Sequence, residues 1–493
     1  MKSLPHALVM LALACAPAAV LAQTPAPTAT PSPSPSTSTP TLEPATSPLQ
    51  LPYPVFGTPV PGVVGAPSRQ HPQVTLKQAV ALAVAESPVL ASARADASLA
   101  NVQVRLALGA ALPNVSASAS TSRLRGGISR SSSSGGSATA TPAPTNVTIT
   151  SNDVAIQVRQ LIFDGFHTEA QIASASASQV AAADTYRSQL QQLALSVAQG
   201  YYTALTAERQ TGAALASLKN AQTQRDLVAA QVAVGTAARS DISNVELQVA
   251  QARLAVIKAQ ASALDALASF STTLGLSPDE VVQPEDDVPA NGAGMVSVLA
   301  VPSYQEALKR AFALRPDWAA AQEQVVAAQR SVRAARTLRW PTLAGTASTG
   351  SSSTDLVGGT FLPSWSVGAQ LTLPIYEGGT IAASIKQAEE QEAKAVALRR
   401  QAELGVESSV KQALVGLASA KAALDAANQE RATADETLKA TEARYKAGVT
   451  TLPLLLQAQT GYTQSLVDQV NAAYGVRQAE QQYLFAVGDN LQL

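Results

Sequence analysis

Side chains able to do chemistry are sparse in this 493-residue chain, and none of them cluster. His71 and His167 stand alone, without a second ligand at metal spacing. The single cysteine, Cys15, has no partner for a disulfide. No Gly-x-Ser-x-Gly elbow, His-Glu-x-x-His helix or phosphate-binding loop is present. Gly292-Ala-Gly294 lies in an acidic loop with no helix to follow, so it is not a nucleotide fingerprint, and Asn114-Val-Ser and Asn146-Val-Thr match the glycosylation triplet by coincidence. The 35 acidic residues are spread along helical stretches in the manner of solvated coiled-coil charge. These residues point to no enzyme, no cofactor and no metal. A net charge of -1 without a basic cluster gives no footprint for nucleic acid either.

The elements that hold these residues are therefore the informative level. Residues 1–22 read as a signal peptide: Lys2, an apolar run over residues 7–16, and the small-residue site Val20-Leu21-Ala22 before Gln23. Cys15 lies inside that run, and Ala12 stands where a lipidation box needs leucine. The mature chain is then exported and free of cysteine. Residues 23–73 form a Pro/Ser/Thr-rich N-terminal segment. Within it "TPAPTATPSPSPSTSTPTLEPATSP" is too polar to bury a core and reads as a flexible tether.

The rest is a duplication. One constant offset of 228 superimposes Pro88 on Pro316 and Pro113 on Pro341. A second, of 213, superimposes Gln157 on Gln370, Phe163-Asp164-Gly165 on Tyr376-Glu377-Gly378, Gly235 on Gly448 and Gly275 on Gly488. The first repeat spans 74–277, a linker 278–302 and the second repeat 303–493. Each reads as helix, strand, loop, strand, long helix, tight turn, helix. Strands are expected at about 112–124, 147–163, 340–353 and 364–376. In the last, Trp365, Val367, Ala369, Leu371, Leu373 and Ile375 alternate with Ser366, Gly368, Gln370 and Thr372. Unbroken helices are expected at 167–234 and 380–447, rods of roughly 100 Å at 1.5 Å per residue. A helix at 89–111 and a returning helix at 240–274, with Val245, Val249, Ala252 and Val256 at coiled-coil spacing, would flank the first rod.

The mature chain contains no stretch of 18 uncharged apolar residues, so no helix of it spans a membrane. Alternating strands can cross lipid only as a closed barrel, because every backbone polar group must be paired there. Barrels begin at about eight strands, so four must be pooled with those of other copies. On that reading Gln157, Arg159, Gln370 and Thr372 face the water-filled lumen, and Phe163 and Tyr376 sit in the interfacial aromatic girdle.

The paired strand ends "LIFDGF" and "LPIYEGG", the turn "ARYKAGVTTLPLLLQAQ" with its degenerate partner "AQVAVGTAARSDISNVELQ", and the terminal "FAVGDN" resemble the TolC-type outer membrane efflux proteins over residues 74–488. The resemblance implies a mainly α fold with a membrane β-barrel. Three copies would build a 12-stranded barrel in the outer membrane, continuous with a long α-helical barrel in the periplasm. The implied function is a passive exit duct of a tripartite efflux or type I secretion system. Its partners would be a periplasmic adaptor, an inner-membrane transporter and outer membrane lipid. The hairpin tips Val234, Gly235, Thr236, Ala237, Ala447, Gly448, Val449 and Thr450 would dock the adaptor. Read from the residues alone, Gly235 and Gly448 are helix C-caps and Asp241 is a first-turn acid.

The same resemblance places the periplasmic aperture at Asp241, Tyr445, Leu454 and Gln457, with Tyr445 hydroxyls meeting neighbouring Asp241 carboxylates as a latch. This chain departs from the family pattern there. Asp241 follows Gly235 by six residues, but Leu454, behind Pro453, stands at the matching place after Gly448. Gln457 replaces a second acid, and Thr450 replaces the usual basic partner. A secreted or periplasmic helical coiled-coil interaction protein is the alternative reading of the residues alone.

Overall fold

The computed structural model describes residues 69–128, 145–235, 238–286, 302–354 and 359–489. The signal peptide, the Pro/Ser/Thr tract, Gly292-Ala-Gly294 and the tip residues Thr236 and Ala237 lie outside the described residues.

The described chain opens with β1 (Arg69–Val74), followed by α1 (Leu76–Glu86), α2 (Pro88–Gly109), β2 (Asn114–Ile128), β3 (Thr145–Phe163), α3 (His167–Ala233) and α4 (Arg239–Thr273). A short β4 (Glu280–Pro284) precedes the second copy. That copy repeats the six-element order as α5 (Tyr304–Leu314), α6 (Pro316–Thr337), β5 (Thr342–Thr354), β6 (Leu362–Thr372), α7 (Thr380–Lys446) and α8 (Leu452–Val487). The two rods, α3 and α7, are 67 residues each, about 100 Å of helix.

Three features differ from the sequence reading. Two helices, not one, precede each strand pair. Ser87 and Arg315 precede prolines, whose rings exclude helical backbone at the residue before them, and both are extended, with ψ of 120° and 118°. Arg69–Val74, expected at the end of the N-terminal segment, pairs in parallel with β4. The last strand ends at Thr372, not residue 376: Pro374 offers no N–H to the ladder and restricts Leu373, so Leu373 and Ile375 fall outside it.

The larger sheet is antiparallel in the order β2-β3-β5-β6, and the β3–β5 pairing joins the two copies. Its strands lead into the rods through left-handed turns. Gly165 (φ 67°) is obligatory, since a Cβ there would lie 2.4 Å from Cβ of Trp340. Asp164 then caps α3, accepting from the backbone N–H of His167 at 3.1 Å and of Thr168 at 2.8 Å. The His167 ring bridges to α6 through the Ala334 carbonyl at 2.7 Å.

The rods are too alanine-rich to hold together along their whole length by bulk alone, and the large side chains gather at mid-height. Tyr201 and Tyr202 of α3 and Tyr474 of α8 are buried with Phe270, Leu274 and Val282; Tyr201 meets Phe270 edge-on at 5.9 Å. The second copy has its own cluster, Val406, Val410 and Leu417 of α7 with Tyr483 of α8 and Ala307 and Ala311 of α5. On α4, Val245, Val249 and Val256 are buried at the coiled-coil spacing read from sequence.

Candidate functional site: the hairpin tips and the two-faced sheet

At the tips the chain reverses over a few residues. In the second hairpin Gly448 (φ 73°) receives the left-handed cap, its N–H donating to the Tyr445 carbonyl at 3.0 Å and that of Val449 to Arg444 at 2.9 Å. Gly235 (φ 80°) does the same after α3, donating to Val232 at 3.0 Å. These caps leave Val234 and Val449 74% and 76% exposed, projecting apolar surface from each tip. Ala447 is exposed and Thr450 half-buried.

Just behind the tips the hairpins pack on each other. Val228 and Val245 of the first and Leu452 of the second are buried together, with Val232, Ile242, Tyr445 and Leu456 packed around them. Tyr445 Oη donates to Gln231 Oε1 at 2.9 Å. Burial, and secondarily the Asp241 carboxylate, push this phenol above its ordinary pKa. Within one protomer Asp241 thus acts on Tyr445 as a nearby charge, while the hydrogen bond goes to Gln231. Asp241 is half-buried in the first turn of α4, and Gln457 is exposed. Leu454 is 49% exposed; the leucines that pack are Leu452 and Leu455.

At the other end the sheet sorts its side chains by face. Directly paired residues share a face and successive residues along a strand change face. The register rows Ser116–Gln157–Ser348–Ser366 and Asn114–Arg159–Thr346–Gly368 belong to one side, as do Gln370 and Thr372. All four residues assigned to a lumen are therefore on a single face, which is mostly serine, threonine and glycine. The other face carries Val115, Val158, Ala347 and Val367 in one row and Phe163, Leu343 and Leu371 in another; Trp365, Val154 and Ile156 share it. Trp365 and Val367 are 80% and 74% exposed. Gln160, also on this side, places its amide on the carbonyls of Ala111 and Leu161 at 3.0 and 2.7 Å. The bulge at Ile162 restores Phe163 to the apolar face.

The outer membrane efflux protein model matches residues 79–276 and 307–489, which are the two copies. The chain belongs to the outer membrane efflux protein family. Among curated relatives, outer membrane efflux protein BepC of Brucella suis biovar 1 is 27% identical over 346 residues, 69% of this chain and 72% of BepC. The pyoverdine export outer membrane protein OpmQ of Pseudomonas aeruginosa is 29% identical over 270 residues, 53% of this chain and about half, 54%, of OpmQ. A membrane protein of Pseudomonas aeruginosa has the same fold, with a TM-score of 0.71 at 22% identity over 84% of this chain and 93% of that one. As an outer membrane efflux protein this chain is an exit duct, placed in the outer membrane and extending into the periplasm. That membership sets aside the secreted coiled-coil reading.

Sequence reasoning missed one polar site of this efflux protein, halfway down the rods. Asp286, just beyond β4, accepts from Tyr474 Oη at 2.9 Å and from Arg209 Nε at 2.5 Å, and Tyr201 Oη donates to the carbonyl of the adjacent Glu285. Burial is the main cause of a strongly raised Tyr474 pKa. The site binds the end of β4 to α3 and α8.

Proposed function

We propose that three copies of this protein pool their four-stranded sheets into a twelve-stranded outer membrane barrel that continues into a periplasmic tube of packed rods. The observation that carries this is the sheet's sorting into one apolar and one polar face. An isolated four-stranded sheet with β2 and β6 as edges leaves both backbone edges and a large apolar face uncovered. Water disfavours the apolar face and lipid does not tolerate the unpaired edges; closure with other copies pairs the edges, and a surrounding bilayer covers the face. The apolar face then meets lipid, and Gln157, Arg159, Gln370 and Thr372 line a water-filled lumen.

The duct is passive. Substrate enters from an inner-membrane transporter, in a tripartite efflux or type I secretion system, through a periplasmic adaptor that engages the tips Val234–Ala237 and Ala447–Thr450. Asp241, Tyr445, Leu454 and Gln457 line or secure the aperture behind them. With Leu454 and Gln457 in place of acids, the mouth is less acidic than the family pattern implies, and closure rests more on apolar packing and the tyrosine. The repeats 74–277 and 303–493 supply equivalent sixths of the tube, so that each copy supplies a third, and are joined through 278–302. Mass measurement and low-resolution imaging of particles in mild detergent test the assembly. A trimer with a barrel cap and a tube about 100 Å long is expected; a monomer overturns it.

A further inference from the structure

The apolar face of β2 and β3 changes character toward the β2–β3 loop. From the row of Phe163 and Leu371 to the row of Val154 and Pro363 it is chiefly apolar. Eight residues of strand make about 26 Å, or about 20 Å of height at the tilt usual in barrels, close to the apolar band of roughly 25 Å such barrels present to lipid. The next row is polar and cross-linked: Thr121 donates to Asn152 Oδ1 at 2.7 Å, and Asn152 Nδ2 to Ser353 Oγ at 3.5 Å. The two rows beyond place Arg123 opposite Thr150 and Arg125 opposite Thr148, still on the same face. Both arginines are exposed, and neither pairs with a carboxylate among the described residues. Asp153, the acid of this hairpin nearest to them in register, points to the opposite face. Their Cα atoms stand about 10 and 15 Å above the last apolar row by the same rise and tilt.

We propose that Arg123 and Arg125 form a docking site on the outer surface of the barrel for phosphate groups of outer-leaflet lipid. The proposal rests on the barrel reading above, which makes the apolar face the lipid face. The headgroup layer begins where the hydrocarbon ends and is about 5 to 7 Å deep. Arginine stems can lie back along apolar surface and bring guanidinium groups down to it. A guanidinium binds phosphate oxygens in a bidentate fork, which favours a phosphorylated lipid over a zwitterionic one. A ribbon standing free in water has no reason to segregate its charge by face. Here Ser120, Ser122 and Leu124 occupy the inner face over the same stretch, while both arginines are outside.

The test is native mass spectrometry of purified full chain in mild detergent, counting bound bisphosphorylated lipid A against its dephosphorylated form. Wild type is expected to prefer the phosphorylated lipid about tenfold. Arg123→Gln with Arg125→Gln is expected to abolish the preference at unchanged oligomer yield, the double lysine variant, which keeps the charge without the fork, to keep only part of it, and Arg159→Gln, on the other face, to leave it intact. An undiminished preference in the glutamine variant, or none in wild type, overturns the proposal. Labelling of Ser366→Cys and Val367→Cys with a membrane-impermeant thiol reagent separates this from failure of the barrel reading. If position 367 is the water-accessible one, the faces are reversed and the barrel reading falls. If position 366 is, and the lipid preference is still unaffected, only the docking site falls.

Discussion

Tyr445 near the end of α7 donates its hydroxyl to Gln231 near the end of α3 at 2.9 Å, so the two hairpins of one protomer are tied by a side-chain bond just behind their tips. The sequence pointed to Asp241 as the partner of Tyr445. The protomer satisfies the hydroxyl internally, and an Asp241 of a neighbouring copy would have to compete with Gln231 for it.

The first prediction is that Gln231→Ala and Tyr445→Phe each loosen the closed mouth, and that together they do little more than either alone. A neutral hydrogen bond contributes about 1 kcal/mol, so coupling of that size is expected in a double-mutant cycle on single-channel conductance in planar bilayers. Additive effects would show that the two residues act separately. Asp241→Ala in a Tyr445→Phe background then reports any role of the carboxylate beyond this bond.

A second expectation concerns pH. Burial first and Asp241 second raise the Tyr445 pKa, so the native state holds the phenolic proton to higher pH than the unfolded chain does. The bond's contribution is fully present below the ordinary tyrosine pKa of about 10 and is lost as pH rises through the raised value. Conductance should therefore stay flat from mildly acidic to mildly alkaline pH and increase only above about pH 10. The alkaline increase should be smaller in Tyr445→Phe; an equal increase there would assign it to other groups.

Asp286 supplies a third. It is the acceptor for the buried Tyr474 hydroxyl and pairs with Arg209. Asp286→Ala leaves that hydroxyl unsatisfied and is expected to cost about 1 to 3 kcal/mol, read as a lower thermal dissociation temperature. Adding Tyr474→Phe should recover part of the loss. If it does not, the site is held by the backbone pairing of β1 with β4 instead.

These sites differ in how far the chain announces them. Period-two alternation exposes the two faces of β6, and the absence of proline over 67 residues exposes each rod. The Asp286 site has no such signal, because its partners lie 77 and 188 residues away and meet only when α3 and α8 pack. β1 was hidden because it is short and contains Pro72, which disqualifies it as a central strand. Leu454 stood out by its distance from Gly448, yet Leu452 and Leu455 are the buried pair, since a helix starting at Leu452 turns those two inward. A signal for Phe166 did exist in the duplication: at offset 213 it falls on Gly379, and both are left-handed, with φ of 68° and 87°.

That correspondence yields a fourth prediction. A non-glycine residue in the left-handed region costs roughly 1 to 2 kcal/mol. Phe166 offsets part of this through its edge-on contact with Phe163 at 5.9 Å, a kind of pairing worth about 0.5 to 1.5 kcal/mol. Phe166→Gly removes strain and contact together and should be near neutral. Phe166→Ala keeps the strain and loses the contact, and should be the less stable of the two by about 1 kcal/mol in thermal dissociation. The reverse order would mean that the left-handed turn is unstrained.

The last prediction addresses the tips. Val234 and Val449 are the most exposed valines of their hairpins, and neither belongs to the cluster of Val228, Val245 and Leu452 behind them. Surface substitutions away from packed features change stability by about 0.5 kcal/mol or less, so Val234→Asp and Val449→Asp should leave oligomer yield and thermal dissociation unchanged. If the tips meet the adaptor through apolar contact, a carboxylate at the centre of that contact is buried without a partner and strongly opposes binding. Co-purification of the cognate adaptor from envelopes should then fall by about tenfold or more, as losses beyond 1.4 kcal/mol imply. Leu452→Asp serves as the contrast: it places a charge in the buried cluster and should lower yield and stability together. Full adaptor recovery with both tip variants, alongside a destabilised Leu452→Asp, would mean that the adaptor grips the helical flanks of the hairpins and not their ends.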